Sequence, residues 1–194
     1  MNIWDTQYKD GRAARQWPDE ELCRFLARAN LPIESRVLEV GCGNGRNAQA
    51  IMRTGLIYYG VDGSAEAIAL ASAEYFGGLY AHGSIPPLAY DSHSFAAVVD
   101  VQCLQHFDAV VLGETLAEIK RVIVPCGLFF SSYLIEIDAG IFPDHPELLT
   151  CQTSDYGLTV QRAGFEILRA ERVTRTYESG TKQATWLMVD ARVL

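Results

Sequence analysis

Residues 37–47 read VLEVGCGNGRN, and residues 57–62 read IYYGVD. The first stretch is an apolar run with one acid, Glu39, ending in a loop with glycines at Gly41, Gly43 and Gly45. The second is another apolar run, Ile57 to Val61, that delivers Asp62 at its end. The pattern predicts a strand, a tight turn and a helix start, with a carboxylate arriving on the neighbouring strand. Such a corner suits an adenosine-type cofactor.

Outward from this corner, apolar runs alternate with helical patterns. Pro18 and the acids Asp19, Glu20 and Glu21 open a helix that places Leu22, Phe25, Leu26 and Ala29 on one face and stops at Asn30. After the glycine loop a helix is expected over 44–54, with Gly55 as its left-handed stop. Ser64 caps an alanine-rich helix ended by Gly77-Gly78. A short strand over 79–81 follows, then a proline-containing loop, 82–94.

Phe95 to Val101 is almost continuously apolar, as a strand buried on both faces should be. A helix over 108–121, a Pro125-Cys126-Gly127 turn and a strand over 128–134 come next. An irregular stretch, 136–151, precedes a helix over 153–163. Strands over 165–173 and 182–189 close the chain, with no helix between them, so they pair antiparallel. Alternating strands and helices imply an α/β, doubly wound, mostly parallel sheet with right-handed crossovers. No repeat or linker divides the 194 residues, and the size suits a single domain over 1–194, with 1–30 as an N-terminal lid and helix segment.

Composition narrows the function. The net charge is −8 and no Lys/Arg run occurs, which argues against a broad nucleic-acid surface. No apolar stretch reaches the roughly 18–20 residues of a membrane span, and the polar N-terminus has no signal core. Five single cysteines without a CxxC pair read as reduced thiols, which leads us to expect a cytoplasmic protein with no metal or redox centre.

Spacing separates two cofactor classes. A dinucleotide fingerprint wants GxGxxG; here the third glycine comes one residue early and Arg46 takes the sixth position. GxGxG with Glu39 ahead of it and Asp62 after it resembles motif I and the acidic position of class I S-adenosylmethionine (SAM) dependent methyltransferases. The resemblance runs over about residues 36–134 and more loosely to the C-terminus. It implies a seven-stranded sheet with an antiparallel hairpin at its end. It also implies SAM as cofactor, S-adenosylhomocysteine (SAH) as product, and methyl transfer to an oxygen or nitrogen nucleophile of a small molecule. A non-catalytic SAM-fold scaffold and, further off, an NAD-dependent oxidoreductase are the alternatives.

Carried over residue by residue, Glu39 would face the SAM ammonium. Loop amides of Gly41, Gly43 and Gly45, with Arg46 and Asn47, would meet its carboxylate. Asp62, followed by Gly63, would hold both ribose hydroxyls. Ser84 stands where the family often has an adenine-binding Asp, and Ile85 would pack on the ring. Ala96 likewise replaces a common acid. Val101 and Gln102, ending the fourth strand, would border the cofactor.

The methyl acceptor belongs beyond the strand ends. There His106 is the candidate general base, against the plainer role of a packed histidine. Trp4, Tyr8, Arg15 and Trp17 form a dense aromatic and basic group that is either a lid over the site or an N-terminal strap. Tyr133 is expected near the acceptor, with Glu136, Phe142 and His145 further along the same wall; Ser84 and Ala96 leave cofactor affinity open, and oligomeric state is not legible.

Overall fold

The computed structural model describes residues 3–11, 16–138, 141, 155–177 and 180–194. Seven strands form one sheet in the order β3-β2-β1-β4-β5-β7-β6. They are β1 (Arg36–Val40), β2 (Ile57–Asp62), β3 (Leu79–His82), β4 (Phe95–Val101), β5 (Ile123–Ile137), β6 (Phe165–Tyr177) and β7 (Lys182–Val193). The first five are parallel, and β7 runs antiparallel between β5 and β6. The chain reverses direction between β3 and β4, on either side of β1, so the switch point lies at the ends of β1 and β4. Ligands of open α/β sheets bind there.

Period-2 alternation splits the core into two layers. Leu38, Val98 and Phe129 face one side, where they pack with α5 (Ala109–Val122) and α6 (Tyr156–Arg162). Val37, Val99 and Phe130 face the other, under α2 (Glu20–Ala29) and α3 (Ala48–Met52). The ends of α2 are as expected: Asp19 caps its first amides and Asn30 closes it at φ 47°. Ser64 caps α4 (Ala65–Glu74) through the Ala67 amide, and Asp108 caps α5. Among the described residues no helix is long and apolar enough to cross a membrane.

Several boundaries differ from expectation. The third helix is only Ala48–Met52, because Gly45 at φ 78° and the Ala48 amide bonded to the Gly45 carbonyl keep 44–47 in turns. The Pro125-Cys126-Gly127 turn is a bulge inside β5, not a boundary. Phe95 pairs with Ile123 and Ala97 with Leu128, and Cys126 takes φ 62° to absorb the extra residues. The last two strands run on to Tyr177 and Val193, supported by a long mutual ladder whose register shifts once, between Ile167 and Arg169. The helix α6 begins at Tyr156 rather than 153, and most of the irregular stretch 136–151, with Phe142 and His145, lies outside the described residues. The polar N-terminal segment contains a helix the pattern did not announce, α1 (Ile3–Lys9).

Candidate cofactor site at the strand ends

The glycine loop is stitched to β2: the Gly41 and Cys42 amides both donate to the Val61 carbonyl, at 2.8 and 3.1 Å. Gly41 sits at φ 67°, and a Cβ there would lie 2.3 Å from Cys103 Cβ, so the loop touches the segment that follows β4. Gly43 is at φ 55°, and its Cβ would meet the Tyr8 hydroxyl at 2.4 Å. Both positions need glycine for conformation, and Gly41 for room as well, since Cys103 Cβ is fixed to its backbone whereas the Tyr8 hydroxyl ends a side chain that can shift. The amides come from turns, since α3 starts only at Ala48.

Asp62 is nine-tenths buried, and each of its oxygens already accepts one amide: Gly43 on Oδ2 and Ser64 on Oδ1, both at 2.8 Å. Burial raises its carboxyl, and the two backbone bonds pull the other way. Each carboxylate oxygen has a second acceptor site, so Asp62 can still take two ribose hydroxyls. The Gly83 amide donates to the Asp62 carbonyl, bringing the 82–94 loop alongside. There Ile85 is half-buried and Ser84 is exposed.

Glu39 is differently placed from the ammonium partner expected of it. It is fully buried, and its two oxygens accept from Asn47 Nδ2 and Tyr58 Oη, each at 2.6 Å. Asn47 Oδ1 in turn accepts from the Asp19 amide at 2.8 Å, fastening the cap of α2 to the glycine loop. Glu39 is thus the hub of a polar knot beneath the site, and burial pushes its carboxyl up to about 7.

That shift has a thermodynamic sign. The folded state binds the Glu39 proton more tightly than the unfolded chain does, so its contribution is full below about pH 4.5 and is lost as pH rises through about 7. Wild-type protein should therefore gain, from this group, on the order of 2 kcal/mol on going from pH 8 to pH 5. Urea midpoints of wild type and Glu39→Gln at both pH values check this. An equal pH response in the two proteins would refute it.

On the far side, His106 ends a 3₁₀ turn (Leu104–His106), half-buried, with the Trp4 ring 4.7 Å away edge-on. Val101 is buried, and Gln102, at φ 65°, donates its amide to the Ser132 carbonyl at 3.0 Å. The helix α1 therefore lies across the strand ends, with Trp4 on His106 and Tyr8 on the glycine loop. Burial, with the charge of Asp62 nearby, raises the Tyr8 phenol. Arg46 bonds the Trp17 carbonyl, but the Trp17 ring is 79% exposed and covers nothing in the site. Gly63 turns the chain from β2 into α4. Arg15 lies outside the described residues.

Tyr133 does not line the acceptor space. It is 1% exposed and stacks on Tyr156, centroids 3.9 Å apart, in the core beneath α6. The misplacement is one of face: odd-numbered residues of β5 at this level point to the α6 layer and even-numbered ones to the α2 layer.

Two features went unread in the sequence. Asp5 accepts from Ser64 Oγ at 2.7 Å, pinning α1 to the start of α4. Asp100, the one acid in β4, is wholly buried and pushed up to about 6 by that burial. Its Oδ1 accepts the Cys103 and Leu104 amides and its Oδ2 accepts from Ser131 Oγ, which also takes the Tyr156 hydroxyl proton. This network sets the turn that carries His106. A lone acid within an otherwise apolar strand was the available signal.

Residues 38–131, from β1 into β5, match the profile of the methyltransferase domain family. No curated protein sequence matches the chain. Among solved structures, the chain partnered with the Trm112 methyltransferase activator of Haloferax volcanii superposes with TM-score 0.73 at 20% identity, covering 97% of this chain and 98% of that one. The [4+2]-cyclase SpnF superposes with TM-score 0.74 at 19% identity, over 98% and 92%. A Haemonchus contortus phosphoethanolamine N-methyltransferase 2 in complex with SAM superposes with TM-score 0.76 at 16% identity, covering this whole chain and 60% of its own. Such identities speak to fold, and the cyclase shows the fold on a protein of another name. Residues 38–131 are similar to the methyltransferase domain family, and the seven-stranded sheet has the fold of the solved methyltransferase structures it superposes on.

Proposed function

We propose that this domain binds SAM and moves its methyl group to an oxygen or nitrogen nucleophile of a small molecule. The observation that carries the reading is Asp62: a buried carboxylate at the end of β2, 2.8 Å from the Gly43 amide of a loop whose glycines all take positive φ. That donor and acceptor set fits an adenosine-type ligand whose ribose hydroxyls need a carboxylate and whose amino-acid carboxylate needs backbone amides. When bound, SAM supplies an electrophilic methyl on sulfur, and the protein contributes alignment and a dry site.

The chain's own residues divide that work. Asp62 holds the ribose, and the amides of the glycine loop, with Arg46, face the carboxylate end. Ile85 offers an apolar surface to the adenine, while Ser84 supplies a hydroxyl in place of the acid often found there, a weaker partner. The helix α1 acts as the lid, with Tyr8 and Trp4 excluding water and presenting aromatic faces toward a cationic sulfur. Glu39 acts at one remove, holding Asn47 and the start of α2 in place.

His106 is the residue positioned to take a proton from a poorly acidic acceptor, and the Asp100 network fixes its turn. A pH–rate profile that keeps its lower inflection in His106→Asn would remove it from that role.

Titration calorimetry tests the whole reading: SAM and SAH should bind with micromolar constants while NAD gives no heat. Binding of NAD in preference to SAM would make the domain a dinucleotide enzyme instead.

A further inference from the structure

We propose that the methyl acceptor carries an amine, held by its N–H groups against Glu21, Ser132 and Gln7 on the α2 side of the strand ends. The inference rests on the transferase reading above and adds the chemistry of the second ligand.

Glu21, Ser132 and Gln7 are 3%, 0% and 4% exposed. Among the described residues, Glu21 Oε2, Ser132 Oγ and Gln7 Oε1 have no hydrogen-bond partner. A buried oxygen left without a donor costs free energy, so such atoms call for a ligand or a water. Elsewhere at these strand ends the buried carboxylates are satisfied: Asp62, Glu39 and Asp100 each have bonds on both oxygens.

Their places in the fold bring these atoms to one region. The cap of α2 is tied to Asn47 beside the glycine loop, and Phe25 stacks on Phe130 of β5 at 5.1 Å. Glu21 lies between those anchors, one turn before Phe25, and so beyond Phe130 toward the strand ends. Ser132 is on the same face of β5 as Phe130, two residues further in that direction, and its carbonyl receives the Gln102 amide. Gln7 is on α1, between Trp4 against His106 and Tyr8 against Gly43. Arg24 holds the other Glu21 oxygen at 2.9 Å, which fixes the carboxylate with Oε2 turned inward.

The chemistry of the set selects the ligand. A carboxylate oxygen and an amide oxygen only accept, and the serine hydroxyl can accept as well. Three acceptors with one negative charge suit a primary ammonium, which offers three N–H donors and a positive charge. They repel carboxylate and phosphate groups. A neutral hydroxyl would satisfy only one of the three.

The test uses the full chain loaded with SAH, and methylamine, small enough for any pocket, as the probe, with methanol as its neutral counterpart. Methylamine should raise the melting temperature and methanol should not. In crystals the nitrogen should lie about 3 Å from all three oxygens. Glu21→Gln should weaken the methylamine response about tenfold, while SAH affinity and the stability of the unliganded protein hold or improve. Ordered water in place of the amine, or an equal response to methanol, overturns the proposal. So does a loss of SAH affinity in Glu21→Gln, which would assign the carboxylate to the cofactor. Failure of SAH to bind wild type would instead sink the transferase reading, and the amine titration of the unloaded protein would still report on this site.

Discussion

Asp62→Ala should lower SAM affinity roughly 100-fold or more, on the view that two ribose hydroxyls donate to this one carboxylate. Hydrogen bonds to a charged group contribute about 1.5–3 kcal/mol each, and every 1.4 kcal/mol is about tenfold in binding. Two lost bonds therefore carry the dissociation constant from micromolar toward millimolar. The substitution also strips acceptors from the Gly43 and Ser64 amides, so the fold should lose about 1–3 kcal/mol. Asp62→Asn keeps the side-chain shape and one acceptor oxygen but sets an NH2 donor against the Gly43 or the Ser64 amide, so it should fall between wild type and alanine in affinity and also melt below wild type. Calorimetry with SAM on the three proteins checks the order. Unaltered affinity in a folded Asp62→Ala protein would place the cofactor elsewhere or nowhere.

The parallel half of the sheet was legible because it is buried on both faces. Such strands appear as short apolar runs, and 36–40, 57–61 and 95–101 fall on β1, β2 and β4 almost residue for residue. The bulge at Cys126 hid the true start of β5, since Pro and Gly there carry the ordinary marks of a turn. The α1 heptapeptide IWDTQYK has too few apolar residues to show a helical stripe, and its helix is held by tertiary partners: Asp5 on Ser64, Tyr8 on the glycine loop. Local pattern cannot report such contacts.

The site was legible in its backbone and less so in its side chains. Glycines and a strand-end acid have fixed neighbours, so Gly41, Gly43 and Asp62 could be placed in one corner from spacing alone. The environment of Glu39 could not, because Tyr58 and Asn47 reach it from 19 and 8 residues away. Tyr133 shows the same limit. In a strand apolar on both faces, the face of a given residue depends on register, and register was unknown until β5 was seen to begin at Ile123.

The junction of the glycine loop with the β4 turn is where the fold is least tolerant, and Gly41→Ala should show it. The new methyl would sit 2.3 Å from both Cβ and Sγ of Cys103; Sγ can turn away about χ1, but Cβ is fixed to the backbone. Relief requires one of the two backbone segments to move. Overpacking of this kind costs about 1–3 kcal/mol, and a left-handed conformation adds about 1–2 kcal/mol for a residue with a Cβ. The sum is a large part of the ordinary stability of a domain. The protein should lose SAM binding as well, because the loop amides and the His106 turn are the parts displaced. A second substitution isolates the steric share. Cys103→Gly removes both clashing atoms and leaves its Cα, at 3.6 Å, in ordinary contact. Gly41→Ala should then be milder on the Cys103→Gly background than on the wild-type one, a coupling of about 1–3 kcal/mol in a double-mutant cycle. Cys103→Ala keeps its Cβ and should rescue little. Equal costs of Gly41→Ala on all three backgrounds would show that the loop and the β4 turn do not meet, and the acceptor space would need to be drawn elsewhere along the strand ends.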